Sequence, residues 1–339
     1  MRCHVSKPSI ICLTPIKNEA WILDRFLKCA SQWADHIIIA DQGSIDNSKE
    51  IALAYSKVTL IENSSPIYDE VERQKLLIRA AREFPEPRLL IALDADEMLT
   101  ANFMECPEWQ TVLQAPKGTV IRFEWANLMP GIQSYWPAGY DHSLGFMDDG
   151  TEHTGKKIHS PRIPVPSGAP AISLKKIKVL HYQYSYWKRM ESKHRWYQCW
   201  ERINYPERSP IDVYRQYHHM YAIPENKIRS LPPEWIDGYE RQGIDMTSNY
   251  EESVFWWDKE VVDWLKKYGS DKFRREAIWD LDWKNLLGDV YRESFASNLD
   301  DPRNKFDRFI HKRWLPKTQA RAEKFHIRLV DIFLKLIWR

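Results

Sequence analysis

Leu89-Leu90-Ile91-Ala92-Leu93-Asp94-Ala95-Asp96-Glu97 reads as a buried strand with carboxylates at its carboxyl end. Five consecutive apolar residues suit a strand covered on both faces. Open α/β sheets bind their ligands just beyond the carboxyl ends of their strands. Two aspartates separated by one residue in a turn can reach the same point. That arrangement suits a hard divalent cation, which takes oxygen ligands and bridges protein to phosphates. In isolation the same stretch also fits a solvated acidic turn or a helix N-terminus, so the residues in front of it decide.

Those residues alternate strand and helix with short connections. Ser9 to Leu13 is a strand, followed by the loop Thr14-Pro15-Ile16-Lys17-Asn18-Glu19. Ile22, Phe26, Cys29 and Trp33 then fall at helical spacing. Ile37 to Ala40 is a second strand ending at Asp41 and the turn Gln42-Gly43-Ser44-Ile45-Asp46, with Asp46 placed to cap a helix running to about Tyr55. Val58 to Ile61 is a third strand. Glu70 to Phe84 is helical by pattern, stopped by Pro85. Four such alternations predict an α/β fold with a mostly parallel central sheet, helices on both faces and right-handed crossovers. Asn18, Glu19, Asp41, Asp94 and Asp96 then all follow strands and line one sheet edge. Downstream, Thr119 to Trp125 reads as a strand. Residues 126–170, rich in Pro, Gly, Asp and His, read as long loops over a site. Ala171 to Tyr184 supplies one or two strands ending at His181-Tyr182. A helix is predicted from Tyr186 to about Tyr205, turns over 206–250, and helices beyond Tyr250.

Composition narrows the class. The chain has 339 residues, enough for one large domain or two modest ones, and 43% hydrophobic content places it among globular proteins. A net charge of +2 argues against a dedicated nucleic-acid binder. The five cysteines are scattered and form no CxxC pair, so neither a disulfide framework nor a zinc site is expected; a reducing, cytoplasmic compartment fits them. No window approaches 18 uninterrupted apolar residues, and the first residues carry no signal-peptide pattern.

In order and spacing, Lys17-Asn18-Glu19, Asp41-Gln42-Gly43-Ser44-Ile45-Asp46 and Leu93-Asp94-Ala95-Asp96-Glu97 resemble the family 2 glycosyltransferases of the GT-A fold. The resemblance covers roughly residues 9–100. It implies a GT-A domain over 1–245, with a nucleotide-binding half at 1–118 and an acceptor half at 119–245, followed by a helical C-terminal extension over 246–339. It also implies an inverting transfer from a nucleotide-diphosphate sugar, a UDP-sugar by preference, to a carbohydrate or lipid-linked acceptor, with Mn2+ or Mg2+ as cofactor. Thr14, Pro15, Glu19 and Asp41 would hold the nucleoside, Glu19 facing the ribose and Asp41 the base edge. Asp94 would stand near the ribose or the metal, and Asp96 would ligate the cation. Arg73 matches the family's diphosphate-side arginine. Gln74, where the family often has Asn, and the absence of the usual glycine from Ser64-Ser65-Pro66-Ile67-Tyr68 depart from its pattern.

Other candidates stay open at this level. His181 is either a further metal ligand or a core histidine bonded to backbone. Lys193 and Arg195 either close over the diphosphate or form a solvated helix face. The base that takes the acceptor proton is expected at Asp149 or Glu152, with Asp148 and Asp141 also nearby in sequence. Trp125, Tyr135, Trp136, Tyr140, Trp187, Trp196 and Trp200 either stack on sugars or serve the core. From His311 to Arg339, eight Lys or Arg accompany two acidic residues. There Phe325, Leu329, Ile332, Phe333 and Leu336 form one apolar stripe, which either docks on its own domain or lies peripherally on an anionic membrane. Two alternatives accompany the transferase reading: a nucleotidyltransferase of similar fold, against which the lack of glycine in Thr14 to Glu19 counts, and a non-catalytic carbohydrate-binding relative.

Overall fold

The computed structural model describes residues 7–63, 65, 67–248, 254–286 and 299–338. Ser64, Pro66, Tyr250 and Arg339, all cited above, lie outside them. Four parallel strands open the chain: β1 (Ser9–Ile16), β2 (His36–Asp41), β3 (Val58–Glu62) and β4 (Arg88–Ala92), in the order β3-β2-β1-β4. The helices between them are α1 (Ala20–Ala30), α2 (Ser48–Leu53) and α3 (Glu70–Ala81). The pleat sends alternate residues to opposite faces. Ile10, Cys12, Ile37, Ile39, Leu89 and Ile91 pack with Ile22, Leu23, Phe26 and Leu27 of α1. Ile11, Leu13, Ile38, Ala40, Leu90 and Ala92 pack with Leu77, Ile78 and Ala81 of α3. Burial on both faces is why these strands read as unbroken apolar runs rather than alternating ones.

Beyond β4 the sheet becomes mixed. The further strands are β5 (Glu97–Leu99), β6 (Val120–Leu128), β7 (Ser134–Met147), β8 (Ala171–Ser173), β9 (Val179–His181) and β10 (Arg229–Ser230). The order continues β4-β7-β6-β9-β5, with β8 on β6 and β10 on β7. Parallel pairings still predominate, and the α/β architecture expected from the sequence is the one found. One expectation fails: residues 126–170 are not all loop, because 134–147 form a 14-residue strand antiparallel to both β4 and β6. Its ladder is interrupted beside Trp125, since Glu124 pairs with Asp141 while Ala126 pairs with Pro137. Such irregularities re-aim side chains next to functional sites. β5 was also not anticipated.

The chain forms two compact units, one of residues 1–185 with 229–250 and one of 186–228 with 251–339. The sequence reading draws one boundary at 245/246, whereas by packing the chain crosses between units at 185/186, 228/229 and 250/251. In the first unit, residues 229–248 return to the core: Tyr239 donates its hydroxyl to the Leu99 carbonyl at 3.0 Å, and Tyr182 donates to that of Met246 at 2.9 Å. In the second, the helix Trp187–Asn204 packs with Trp256–Tyr268. A smaller apolar cluster joins Ile211, Tyr214, Ile310, Leu315, Leu334 and Trp338.

Candidate active site

The Lys-Asn-Glu loop and the turn after β2 form one hydrogen-bonded platform. Asn18 takes a left-handed conformation (φ 57°), donates its N–H to Ser44 Oγ at 2.9 Å and accepts from the Ile45 N–H at 2.8 Å. The Glu19 N–H donates to Ser48 Oγ, and the Ala20 N–H to Asp46 Oδ2. Asp46 also accepts from the Ser48 N–H, so one aspartate joins the start of α1 to the start of α2. The Glu19 carboxylate is held by the Trp21 indole at 2.7 Å. Asp41 is buried at the tip of β2, accepts from the Ser44 N–H and faces the Lys49 ammonium at 3.4 Å. An open cleft beside it is lined by Asp41, Gly43, Lys49, Glu62, Asn63 and Ser65. Thr14, buried, and Pro15 lie near the end of β1, paired with Ile39 and Ala40 of β2.

Strand register sets the distance to the second acidic group. Leu13 is level with Ile38 on one side and Ala92 on the other, and Ile16 is level with Asp41. Continuing β4 by two residues brings Asp94 level with Pro15. Asp41 and Asp94 therefore stand at similar height, two strand spacings apart, roughly 10 Å. The chain returns to opposite sides of β1 to form β2 and β4, the kind of switch point where ligands enter open sheets.

The third group is built by a row of paired residues. Asn127 of β6 pairs with His181 of β9, and His181 pairs with Glu97 of β5. Directly paired residues project from the same face, so three strands present Asn127, His181 and Glu97 side by side. Asp96 adjoins Glu97, and its carbonyl accepts from the Tyr182 N–H at 2.8 Å. One ligand atom each from Asp96, Glu97 and His181 lies within 4.8 Å of the others, and all three residues are buried. His181 Nδ1 bonds Asn127 Oδ1 at 2.9 Å. With a carbonyl oxygen as its partner, Nδ1 carries the proton and the lone pair sits on Nε2, the form that ligates metals.

Arg162 completes the cluster. Its guanidinium meets Glu97 at 2.5 and 3.0 Å and Asp94 Oδ2 at 2.7 Å, and lies 5.5 Å from the Trp125 ring centre. Residues 148–162 carry it there by running along α3. Arg82 donates to the Thr151 carbonyl, Ser160 donates its N–H to Glu70, and Glu70 donates its N–H to the Lys157 carbonyl. Burial pushes the Glu97 carboxyl above its usual range, and Arg162 restrains that rise. Trp125 stacks on His142 at 3.5 Å and lies 4.7 Å from His181. Burial, with Arg162 and His181 nearby, pushes the His142 imidazole down to about 3, so that ring is neutral.

The donor set fits a divalent cation. Asp94, Asp96 and Glu97 supply three formal negative charges when ionised and Arg162 one positive, leaving −2. Asp94 Oδ1 is buried without a hydrogen-bond partner beside this cluster. Carboxylate oxygens with one imidazole suit Mn2+ or Mg2+.

The structure brings Thr14, Pro15, Glu19, Asp41, Asp94, Asp96 and His181 to one sheet edge. Arg73 lies in the first turn of α3, its guanidinium 5.6 Å from the Tyr68 ring centre. Asp149 and Glu152 do not join the cluster. Asp149 follows Met147, which pairs with Leu89 near the amino end of β4, and is exposed there, capping the Thr151 N–H. Glu152 is exposed on the neighbouring segment, close enough to Lys75 to influence it. Asp148, buried, pairs with Arg82 and Arg88, and Asp141 pairs with Lys175. Lys193 belongs to the second unit, 5.9 Å from the Trp257 ring centre, and Arg195 pairs there with Asp258. Of the aromatics, Trp125 flanks the acidic cluster and Trp136 packs on Tyr184. Glu97, Asn127, Arg162 and His142 were not singled out as site residues from the sequence. Only Glu97 had a signal there, as the last residue of the acidic tetrapeptide.

Against protein families and curated proteins the sequence finds no match. Among solved structures it is similar, over part of its length, to glucosyl-3-phosphoglycerate synthase from Mycobacterium tuberculosis in complex with Mn2+, UDP and glucosyl-3-phosphoglycerate (17% identity, 37% of this chain and 45% of that one, TM-score 0.26). It is also similar to GalNAc-T7 with UDP, GalNAc and Mn2+ (13% identity, 52% and 44%, TM-score 0.35) and to a mycobacterial protein (16% identity, 36% and 42%, TM-score 0.28). The matched region spans less than half the length of each of these chains.

Proposed function

We propose that this chain is a metal-assisted glycosyltransferase of the family 2 type that uses a nucleotide-diphosphate sugar, with UDP as the nucleotide. The supporting observation is the meeting of Asp96, Glu97 and His181 within 4.8 Å, on the sheet edge that also carries Asp41 and Glu19. In this reading Asp41 accepts the imide proton of the base, as a buried carboxylate can, and Glu19 faces the ribose. Asp94 orients the sugar end of the donor, while Asp96 and His181 hold the cation. Such an ion neutralises charge on the departing nucleoside diphosphate. Arg73, on the first turn of α3, adds a guanidinium suited to phosphate oxygens. Transfer is a single displacement with inversion to a carbohydrate or lipid-linked acceptor. The proposal rests on donor binding and names no base, because Asp149 and Glu152 stand apart from the cluster; Lys193 enters no step.

Calorimetric titration of UDP with and without Mn2+, beside a donor-hydrolysis assay, tests it. Wild type is expected to bind UDP in a Mn2+-dependent way and to release sugar, and Asp96→Ala to lose both with an unchanged melting temperature. Wild type that ignores UDP, or an Asp96→Ala protein that matches wild type, removes the reading. UDP binding with no turnover on water or any acceptor favours the non-catalytic relative.

A further inference from the structure

The helix Phe325–Ile337 carries two apolar faces, and only one is used. Ile327, Asp331, Leu334 and Trp338 are buried, the last two in the cluster with Ile211, Tyr214, Ile310 and Leu315. Asp331 is the only acidic residue of this helix, and its charge is consumed inside: Arg215 reaches it at 3.0 Å and the Trp314 indole at 2.8 Å. On the opposite side Phe325, Leu329, Ile332, Phe333 and Leu336 are 77, 51, 55, 59 and 62% exposed. At 3.6 residues per turn these five fall within an arc of about 100°. The apolar stripe is therefore not the face that packs on Ile211, Tyr214, Ile310 and Leu315.

The exposed charge of the segment itself is mainly of one sign, although Lys335 pairs with Asp212 and Lys312 faces Asp280. Lys312, Arg313, Lys317, Arg321, Lys324 and Arg328 are exposed, against exposed Glu323 alone among the described residues of 311–338. Large aliphatic and aromatic side chains bordered by cations match a bilayer's acyl boundary beneath anionic headgroups. No helix of the described chain is long and apolar enough to cross a membrane, so the contact lies along the surface. We propose that this face binds an anionic lipid surface, with Leu329, Ile332, Phe333 and Leu336 inserted among the acyl chains and Lys324 and Arg328 on the headgroups. The inference stands on the helix alone. Joined to the transferase reading, it selects lipid-linked acceptors over free sugars.

Co-sedimentation of the full chain with phosphatidylcholine vesicles, with and without phosphatidylglycerol, tests it without any nucleotide, so its failure is distinct from failure of the transferase reading. Wild type is expected to partition onto the anionic vesicles at least about tenfold more strongly than onto the neutral ones. Leu329→Glu/Phe333→Glu loses binding to both compositions. Lys324→Glu/Arg328→Glu loses only the anionic preference, as does added salt. These side chains are exposed, so folding is not at stake, and unchanged circular dichroism checks that. Equal pelleting of wild type and the Leu329/Phe333 variant overturns the proposal, as does equal partition onto the two compositions. So does a wild-type dimer in analytical ultracentrifugation that the same variant splits, which assigns the face to a second copy of the chain.

Discussion

Asn127 governs which nitrogen of His181 carries the proton. A ring nitrogen held at 2.9 Å by a carbonyl oxygen has both its proton and its rotation determined by that partner. Partners of this kind are commonly worth 10- to 100-fold in metal affinity. Asn127→Ala is accordingly expected to weaken Mn2+ binding by about 10- to 100-fold, read by titration of the free-ion electron paramagnetic resonance signal. Unchanged affinity would show that His181 needs no such partner. Arg162 acts on the same cluster from the other side. It is the cation that lets Glu97 stay inside the protein, because an unpaired buried carboxylate is strongly disfavoured. Neither residue carries a local signal. An asparagine near the end of a strand and an arginine among prolines look ordinary until the register and the path of residues 148–162 bring them to the acidic tetrapeptide.

At the level of elements, β7 was concealed and the first four strands were not. Of these, β1, β2 and β4 are covered on both faces and present apolar runs, while β3, half-buried at the end of the strand order, shows itself through Val58, Leu60 and Ile61. β7 contains Pro137, Gly139, Asp141 and Gly145, each a turn signal when read locally. Its ladder partners come from β4 and β6, so neighbouring strands overrule local preference. Gly145 has a steric reason to be glycine: an added Cβ would sit 2.8 Å from the Ile121 Cβ, inside normal contact. Gly145→Ala should then destabilise the fold by about 1–3 kcal/mol through overpacking, measured as a lower urea midpoint at constant slope. An unchanged midpoint would mean that β6 and β7 separate at little cost.

In the first unit as a whole, Asp148 ties together segments remote in sequence. Its carboxylate meets Arg82 just beyond α3 and Arg88 at the start of β4, and accepts from the Gly150 N–H. Burial opposes the charged form, and Arg82, Gly150 and Arg88 outweigh it, holding the pKa below the ordinary 3.8. A depressed folded-state value adds stability that is complete above the unfolded pKa and is lost as pH falls through the folded one. Urea unfolding followed downward from about pH 6 should show an acid limb beginning near 3.8 that Asp148→Asn lacks in part. Identical limbs in the two proteins would remove this assignment.

The amino-acid sequence alone determined the parallel half of the sheet, the helices that cover it, and the acidic residues at its strand tips. Each of these follows from burial and periodicity within short windows, which local chemistry records. The tertiary structure alone decided the row Asn127–His181–Glu97, the arrival of Arg162, the separation of Asp149 and Glu152 from that cluster, and the outward turn of the apolar stripe on Phe325–Ile337. A helical period shows that a helix has an apolar face, but which face is buried depends on the surfaces that meet it. Contacts between side chains far apart in sequence depend on strand register and loop path, which no short window contains.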